Sequence, residues 1–109
     1  MPGEFKYVFD HSVRSSDQAM TVFAVPNHLP QARLGLTVGK KHLKLAVDRN
    51  RIKRLTRESF RRHQDELAGL DLIMMVRAGI KQLDNHAILT ALDKHWQRVI
   101  KRCAQSSSN

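Results

Sequence analysis

Residues 46 to 62 read Ala-Val-Asp-Arg-Asn-Arg-Ile-Lys-Arg-Leu-Thr-Arg-Glu-Ser-Phe-Arg-Arg. The stretch holds no glycine or proline, and its apolar residues recur at helical spacing. Ile52, Leu55, Phe60 and His63 fall at i, i+3, i+8 and i+11, with the small residues Thr56 and Ser59 between them. That spacing places them on one stripe of an α-helix. Arg49, Asn50, Lys53, Arg57 and Arg61 fall on an adjoining face. One side of this helix suits a core and another suits an anion.

The charge around it is dense. From Lys40 to Arg62 there are ten basic residues against Asp48 and Glu58, a surplus of +8 in a chain whose net charge is +9. Like charges four apart on a helix repel by about 0.2–0.5 kcal/mol per pair. A bound polyanion relieves that cost, so the density favours nucleic-acid binding over a merely solvated basic face.

Working outward, Gly39 to Leu45 is a basic connection carrying Lys40 and Lys41. Before it, Leu34 to Val38 is a strand with Leu34, Leu36 and Val38 on one face. Gly35 and Thr37 leave its other face nearly bare, which permits close approach of a packed helix or a ligand. Ala19 to Val25 is another strand, with Met20, Val22 and Ala24 pointing one way and Thr21, Phe23 and Val25 the other. Pro26-Asn27-His28 and Pro30 end it. His11 to Gln18 is polar and turn-like. Glu4 to Asp10 reads as a short helix with Phe5, Val8 and Phe9 at i, i+3 and i+4, after a loose start at Met1 to Gly3.

Downstream, Asp48 is placed to cap the central helix or to complement its positive N-terminus. The helix is expected to end between His63 and Leu67, and Gly69 breaks the pattern. Asp71 to Arg77 is a strand, and Leu72 to Val76 is apolar throughout, as in a strand covered on both faces. Ala78 to Leu83 reads as a loop. Asp84 is an N-cap, with Leu83 and Ile88 placed as a hydrophobic staple. The last helix carries Ile88, Leu92, Trp96, Val99, Ile100 and Cys103 on one face. Gln105 to Asn109 is a polar tail expected to be disordered. The predicted fold is α+β: one domain over residues 1–109, a two-layer sandwich of one sheet with helices against it. The order is helix, two or three strands, helix, strand, helix, in full α-β-β-β-α-β-α.

A length of 109 residues supports one modest core. A pI near 10.5 suits a nucleic-acid partner. No apolar run is long enough to span a bilayer, and no secretory segment follows Met1, so no membrane partner is expected. The one cysteine, Cys103, rules out an internal disulfide and fits a reducing cytoplasm.

Ala46-Val47-x-Arg49-Asn50-Arg51-x-Lys53-Arg54-x-x-Arg57 resembles the arginine-asparagine-arginine signature of the bacterial ribonuclease P protein subunit. Arg33-Leu34-Gly35-Leu36-Thr37-Val38-Gly39-Lys40-Lys41 looks like that family's strand ending in paired lysines, and Phe5-Lys6-Tyr7-Val8-Phe9 resembles its first helix. The similarity runs from about Glu4 to about Arg102. It implies a ribosomal-protein-like fold with a left-handed βαβ crossover, where strand sterics alone favour the right-handed one. It also implies a partner catalytic RNA that uses Mg²⁺ to remove the 5′ leader of precursor tRNA. Lys40, Lys41, Arg49, Asn50, Arg51, Lys53, Arg54, Arg57 and Arg61 are then the RNA-binding candidates, and Phe5, Phe9 and Phe23 the candidates for a leader groove. The family carries a basic stretch before its first helix; its absence here leads to the expectation of a trimmed start.

The residue types fit these roles. Arginine's planar fork binds phosphate bidentately and stacks on bases. The Asn50 amide can hydrogen-bond a base edge, a 2′-hydroxyl or metal-bound water, which a charge-only patch would not require. Aromatic rings stack on unpaired bases, although a small core also needs its phenylalanines. No catalytic residue and no metal-ligand set is predicted in this chain. The six histidines form no zinc-ligand spacing among themselves or with Cys103, and His63 reads as a structural histidine. The alternative reading is a structural RNA-binding protein, such as a small ribosomal component or RNA chaperone. DNA is not an expected partner, because no helix-turn-helix spacing precedes the central helix.

Overall fold

The computed structural model describes residues 12–107. The helix expected at Glu4 to Asp10, and Phe5 and Phe9 with it, lies outside them. The described elements are strands β1 (Val13–Ser16), β2 (Met20–Pro26) and β3 (Arg33–Thr37), helix α1 (Ala46–Arg62), strand β4 (Leu70–Val76), a 3₁₀ turn (Ala78–Gln82) and helix α2 (Asn85–Ser107). The strands form one sheet in the order β1-β2-β4-β3. β1 and β2 are antiparallel, as are β2 and β4, whereas β3 and β4 are parallel.

The period-2 pattern of β2 sorts the sheet's two faces. Met20, Val22 and Ala24 are fully buried, opposite Val76, Met74 and Leu72 of β4 in register. They share one core with Ile52 and Leu55 of α1 and with Ile88, Leu92, Trp96 and Val99 of α2. Both helices therefore lie on this face. Phe23, Val25 and Ile73 are buried on the other face, outside that core. Strand β4 is thus apolar on both sides, as its sequence predicts.

Helix α2 starts where expected. The Asp84 carboxylate accepts from Ala87 N at 2.8 Å. Helices α1 and α2 run side by side in the same direction, because their contacts advance together along both. Arg51 in the first half of α1 meets Asn85 at the start of α2, whereas Ser59 and His63 at the far end of α1 meet Trp96 and Asp93 further along α2. The Trp96 indole N–H donates to the buried Ser59 hydroxyl at 2.9 Å, and the Phe60 and Trp96 rings meet edge to face with centroids 6.3 Å apart. His63 is held by Asp93 at 2.9 Å and Glu66 at 3.4 Å, a structural histidine as its place on the stripe suggests.

Several local expectations are corrected. The polar stretch at His11 to Gln18 contains strand β1 rather than only a turn. Ser15 points into the core, and its hydroxyl is satisfied there by His95 Nδ1 at 2.7 Å, so polarity no longer argues against burial. The cap of α1 is Leu45, with no side-chain bond, while Asp48 sits in the first turn as a charge complement. Helix α1 ends at Arg62, before His63, and a turn follows up to Gly69, whose φ of 87° suits glycine. The Ala78 to Leu83 loop is largely a 3₁₀ turn around buried Ile80. The backbone of the expected tail stays helical to Ser107.

His95 flanks the apolar stripe of α2 and is only 1% exposed. Its Nε2 faces the Asp17 carboxylate at 2.9 Å. A carboxylate only accepts, so Nε2 carries the proton and Nδ1 accepts from Ser15. The other Asp17 oxygen accepts from Ala19 N at 2.7 Å and Met20 N at 2.9 Å, which sets the β1–β2 turn. Burial pushes the His95 imidazole below its ordinary value, with Arg98 and Arg102 adding to this and Asp17 opposing it. Burial also works to raise Asp17, but the two backbone N–H groups and His95 outweigh it and hold the carboxyl below its usual range. Both folded-state values are depressed, so the unfolded chain takes up protons first and stability falls with pH. The His95 share is fully present above about pH 6.5 and is lost below it, and the Asp17 share is lost below about pH 4. Denaturant unfolding at about pH 7.5 and about pH 5.5 should record this loss in the wild type and a smaller one in His95→Gln. Identical pH dependence in the two proteins would contradict it.

Candidate nucleic-acid interface

Helix α1 buries Ile52, Leu55, Thr56 and Ser59 and turns Asn50, Arg54, Arg57 and Arg61 to the surface, with Lys53 half-buried beside them. The Thr56 hydroxyl is satisfied within the helix by the Ile52 carbonyl at 2.8 Å. Small polar residues thus let the core face lie close to α2 while long cations fill the outer face.

The structure divides the signature residues into two groups. Arg49 turns back, its Nη1 donating to the carbonyls of Leu43 and Lys44 at 2.9 and 2.8 Å. It ties the lysine-rich lead-in to the helix start. The Arg51 guanidinium donates to the Asn85 side-chain oxygen at 2.6 Å and ties α1 to the start of α2. Asn50, Lys53, Arg54, Arg57 and Arg61 carry no protein partner among the described residues. Lys40 and Lys41 are exposed in the turn after β3, at the same end of α1.

Two clefts border this face. One runs between the β3 edge and the second half of α1. Leu34, Leu36 and Phe60 form its apolar part, with Lys53, Arg57 and Arg61 along the helix side. The other lies at the start of α1, where Lys44 and Arg51 meet Lys81 of the 3₁₀ turn. Lys81 was not legible in the sequence as part of the site, because only the fold brings it there. Leu45 and Val47 are exposed beside these cations, at 62% and 69%.

Phe23 is 9% exposed and sits on the sheet face opposite α1. Phe23 and the cations of α1 therefore lie on opposite faces of the sheet. The face around Phe23 is nevertheless open at β3, where Gly35 and Thr37 are exposed. A methyl group at Gly35 would meet the Ile73 side chain at 3.7 Å and the Leu72 carbonyl oxygen at 3.8 Å, both ordinary contacts, so its smallness there is not forced by packing. At one end of that face Arg33 grips Asp71 with two bonds of 2.7 and 2.6 Å. Arg33 holds the Asp71 carboxyl below its usual range, with Asn27 contributing. Among the described residues no group of three or more His, Cys, Asp or Glu is arranged to hold a metal ion.

A family model described as Ribonuclease P matches residues 1–100. The chain is 54% identical to the ribonuclease P protein component of Pasteurella multocida over 106 residues, covering 97% of this chain and 88% of the relative. It is 48% identical to that of Methylococcus capsulatus over 107 residues, covering 98% and 84%. Among solved structures it resembles the RNase P protein of Staphylococcus aureus, with a TM-score of 0.80, 26% identity and 89% of each chain covered. It also resembles the RNase P protein of Thermotoga maritima in complex with 1-(4-fluorophenyl)-2-thiourea, with a TM-score of 0.74, 26% identity and coverage of 84% and 89%.

The division within the signature is testable. Arg49→Ala removes two charge-assisted bonds to carbonyls and should cost about 1–3 kcal/mol of stability. Arg57→Ala should change stability by no more than about 0.5 kcal/mol. For RNA binding, Arg57→Ala should flatten the slope of log K against log salt by about 0.7–0.9. Equal melting losses in the two variants would refute the distinction.

Proposed function

Because the chain belongs to the bacterial ribonuclease P protein family, we propose that it binds the catalytic RNA and the 5′ leader of precursor tRNA, supporting Mg²⁺-dependent removal of that leader. The observation that carries this reading is the partnerless row Asn50, Lys53, Arg54, Arg57 and Arg61 along α1. Its side chains are held on a rigid helix, so ordering them on RNA costs less than ordering a loop. Arg49 and Arg51 act mainly by fixing that helix, and Lys40 and Lys41 extend the cationic surface past its start. Guanidinium forks take phosphate oxygens, while the Asn50 amide is suited to a base edge, a 2′-hydroxyl or a metal-bound water.

The leader runs along the open sheet face beside Gly35 and Thr37, with buried Phe23 as its floor and Phe5 and Phe9 as further candidates. An extended single strand needs a shallow surface free of long side chains, and β3 offers one there. Cleavage itself we assign to the RNA subunit. Mg²⁺ binds through oxygen ligands, commonly carboxylates and waters. Among the described residues no three acidic, histidine or cysteine side chains gather to hold an ion, and Asp71 is engaged by Arg33, Asp17 by backbone and His95, and Glu66 and Asp93 by His63. We therefore assign Mg²⁺ mainly to the RNA. No described helix is long and apolar enough to cross a membrane. With its single, buried cysteine, the chain suits work in the cytoplasm.

The test is reconstitution. The protein, a bacterial ribonuclease P RNA and precursor tRNA should give leader cleavage at limiting Mg²⁺ that neither subunit gives alone. Cleavage by the protein without RNA would overturn the assignment of chemistry to the RNA. Asn50→Ala keeps the charge and improves helix propensity. It should lower single-turnover cleavage by about five- to a hundredfold at limiting Mg²⁺, as one lost hydrogen bond would. Superimposable Mg²⁺ titrations of the two holoenzymes would show that the helix works through charge alone.

A further inference from the structure

The outer surface of α2 carries a second cationic field. Lys94, Arg98 and Lys101 are exposed at i, i+4 and i+7, and exposed Arg102 borders them. At 100° per residue they occupy one arc of the helix. The buried stripe and the contacts with α1 through Trp96, Asp93 and Gln97 lie elsewhere on its circumference. The arc therefore faces away from α1 and overhangs β1, the strand at the other edge of the sheet from β3. Arg102 donates to the Arg14 carbonyl, which ties this end of the arc to the β1 backbone.

Net charge conceals this field. Outside Lys40 to Arg62 the chain carries nine basic and eight acidic residues. In space most of the described acids are engaged elsewhere. Asp71 pairs with Arg33, Asp84 caps α2, and Glu66 and Asp93 hold His63 on the α1 side. Asp17, beside β1, is bound to His95 and two backbone N–H groups. No Asp or Glu occurs between Lys94 and Ser107. Lys94, Arg98 and Lys101 have no carboxylate partner among the described residues. Four cations within one arc repel along the helix, and their field reaches the buried His95, where Arg98 and Arg102 oppose protonation.

We propose that Lys94, Arg98, Lys101 and Arg102 form a second RNA surface, distinct from α1, that takes the phosphate backbone of paired RNA. This rests on the RNA-binding function proposed above. Paired RNA is the occupant because the arc offers cations alone. Trp96 is fully buried in the core and Gln97 donates to Glu66, so no described aromatic ring or amide there is free to read an unpaired base. With α1 on one side and this arc on the other, the protein grips two RNA segments at once. The second contact is then intramolecular and raises overall affinity without sequence preference.

The variant Lys94→Gln/Arg98→Gln/Lys101→Gln keeps Arg102 and its bond to β1. It should melt no lower than the wild type, since it removes only repulsion. The probe is an RNA hairpin of about 20 base pairs, long enough to offer phosphates to either surface, bound to the full chain over a range of salt. The triple variant should flatten the log–log slope by about two, at about 0.7–0.9 per lost phosphate contact. Arg54→Gln/Arg57→Gln on α1 should flatten it separately, and the two losses should add in the combined protein. An unchanged slope in a triple variant that melts normally overturns the second surface. If the triple variant melts lower, Arg98→Gln alone is used, and a slope unchanged from wild type again overturns it. Failure of the second surface alone leaves the α1 slope change and cleavage at limiting Mg²⁺ intact. Failure of the RNA-binding function removes those as well.

Discussion

Strands β3 and β4 lie side by side and run parallel, and that pairing constrains everything between them. Parallel neighbours cannot be joined by a tight turn, so the chain must cross over the sheet. The crossover here is α1, the most basic stretch of the chain. Its apolar stripe has to face the sheet and α2, because Ile52 and Leu55 complete the core over Leu72 and Met74. Its cations are consequently turned outward as a set. The core requirement of one helix thus builds the surface that the proposed function uses.

The carboxylates complement that arrangement. Most of those outside the central segment hold the fold together: Asp17 shapes the first hairpin and anchors His95, Asp71 takes Arg33, Asp84 starts α2, and Glu66 and Asp93 fix His63 between the helices. Each of these bonds takes an acidic group out of reach of the free cations. The two cationic surfaces are left uncompensated, one on α1 and one on the far side of α2. Desolvated polar groups in the core are matched as carefully, with Ser15 on His95, Ser59 on Trp96 and Thr56 on a backbone carbonyl. Among the described residues, no buried side-chain nitrogen or oxygen lacks a partner.

What the sequence determined by itself was periodic or local. The helical period of residues 46–62, the alternation in Met20 to Val25, the unbroken apolar run at Leu72 to Val76 and the Asp84 cap each depend on neighbours within a few positions, and each forms as its pattern implies. Helix ends and the short strand β1 did not follow from pattern, because they depend on partners far along the chain. Ser15 becomes a core residue only where His95, eighty positions later, receives its hydroxyl. The candidate site divides the same way. Its dense positive charge was written in the order of residues. Which cations are free was decided by the tertiary structure: Arg49 and Arg51 point to backbone and Asn85, Lys81 joins from another element, and Phe23 lies across the sheet from α1. The physical reason is range. Propensity and periodicity act over a turn or two of chain, whereas hydrogen-bond partners and charge neighbours are set by which elements pack together.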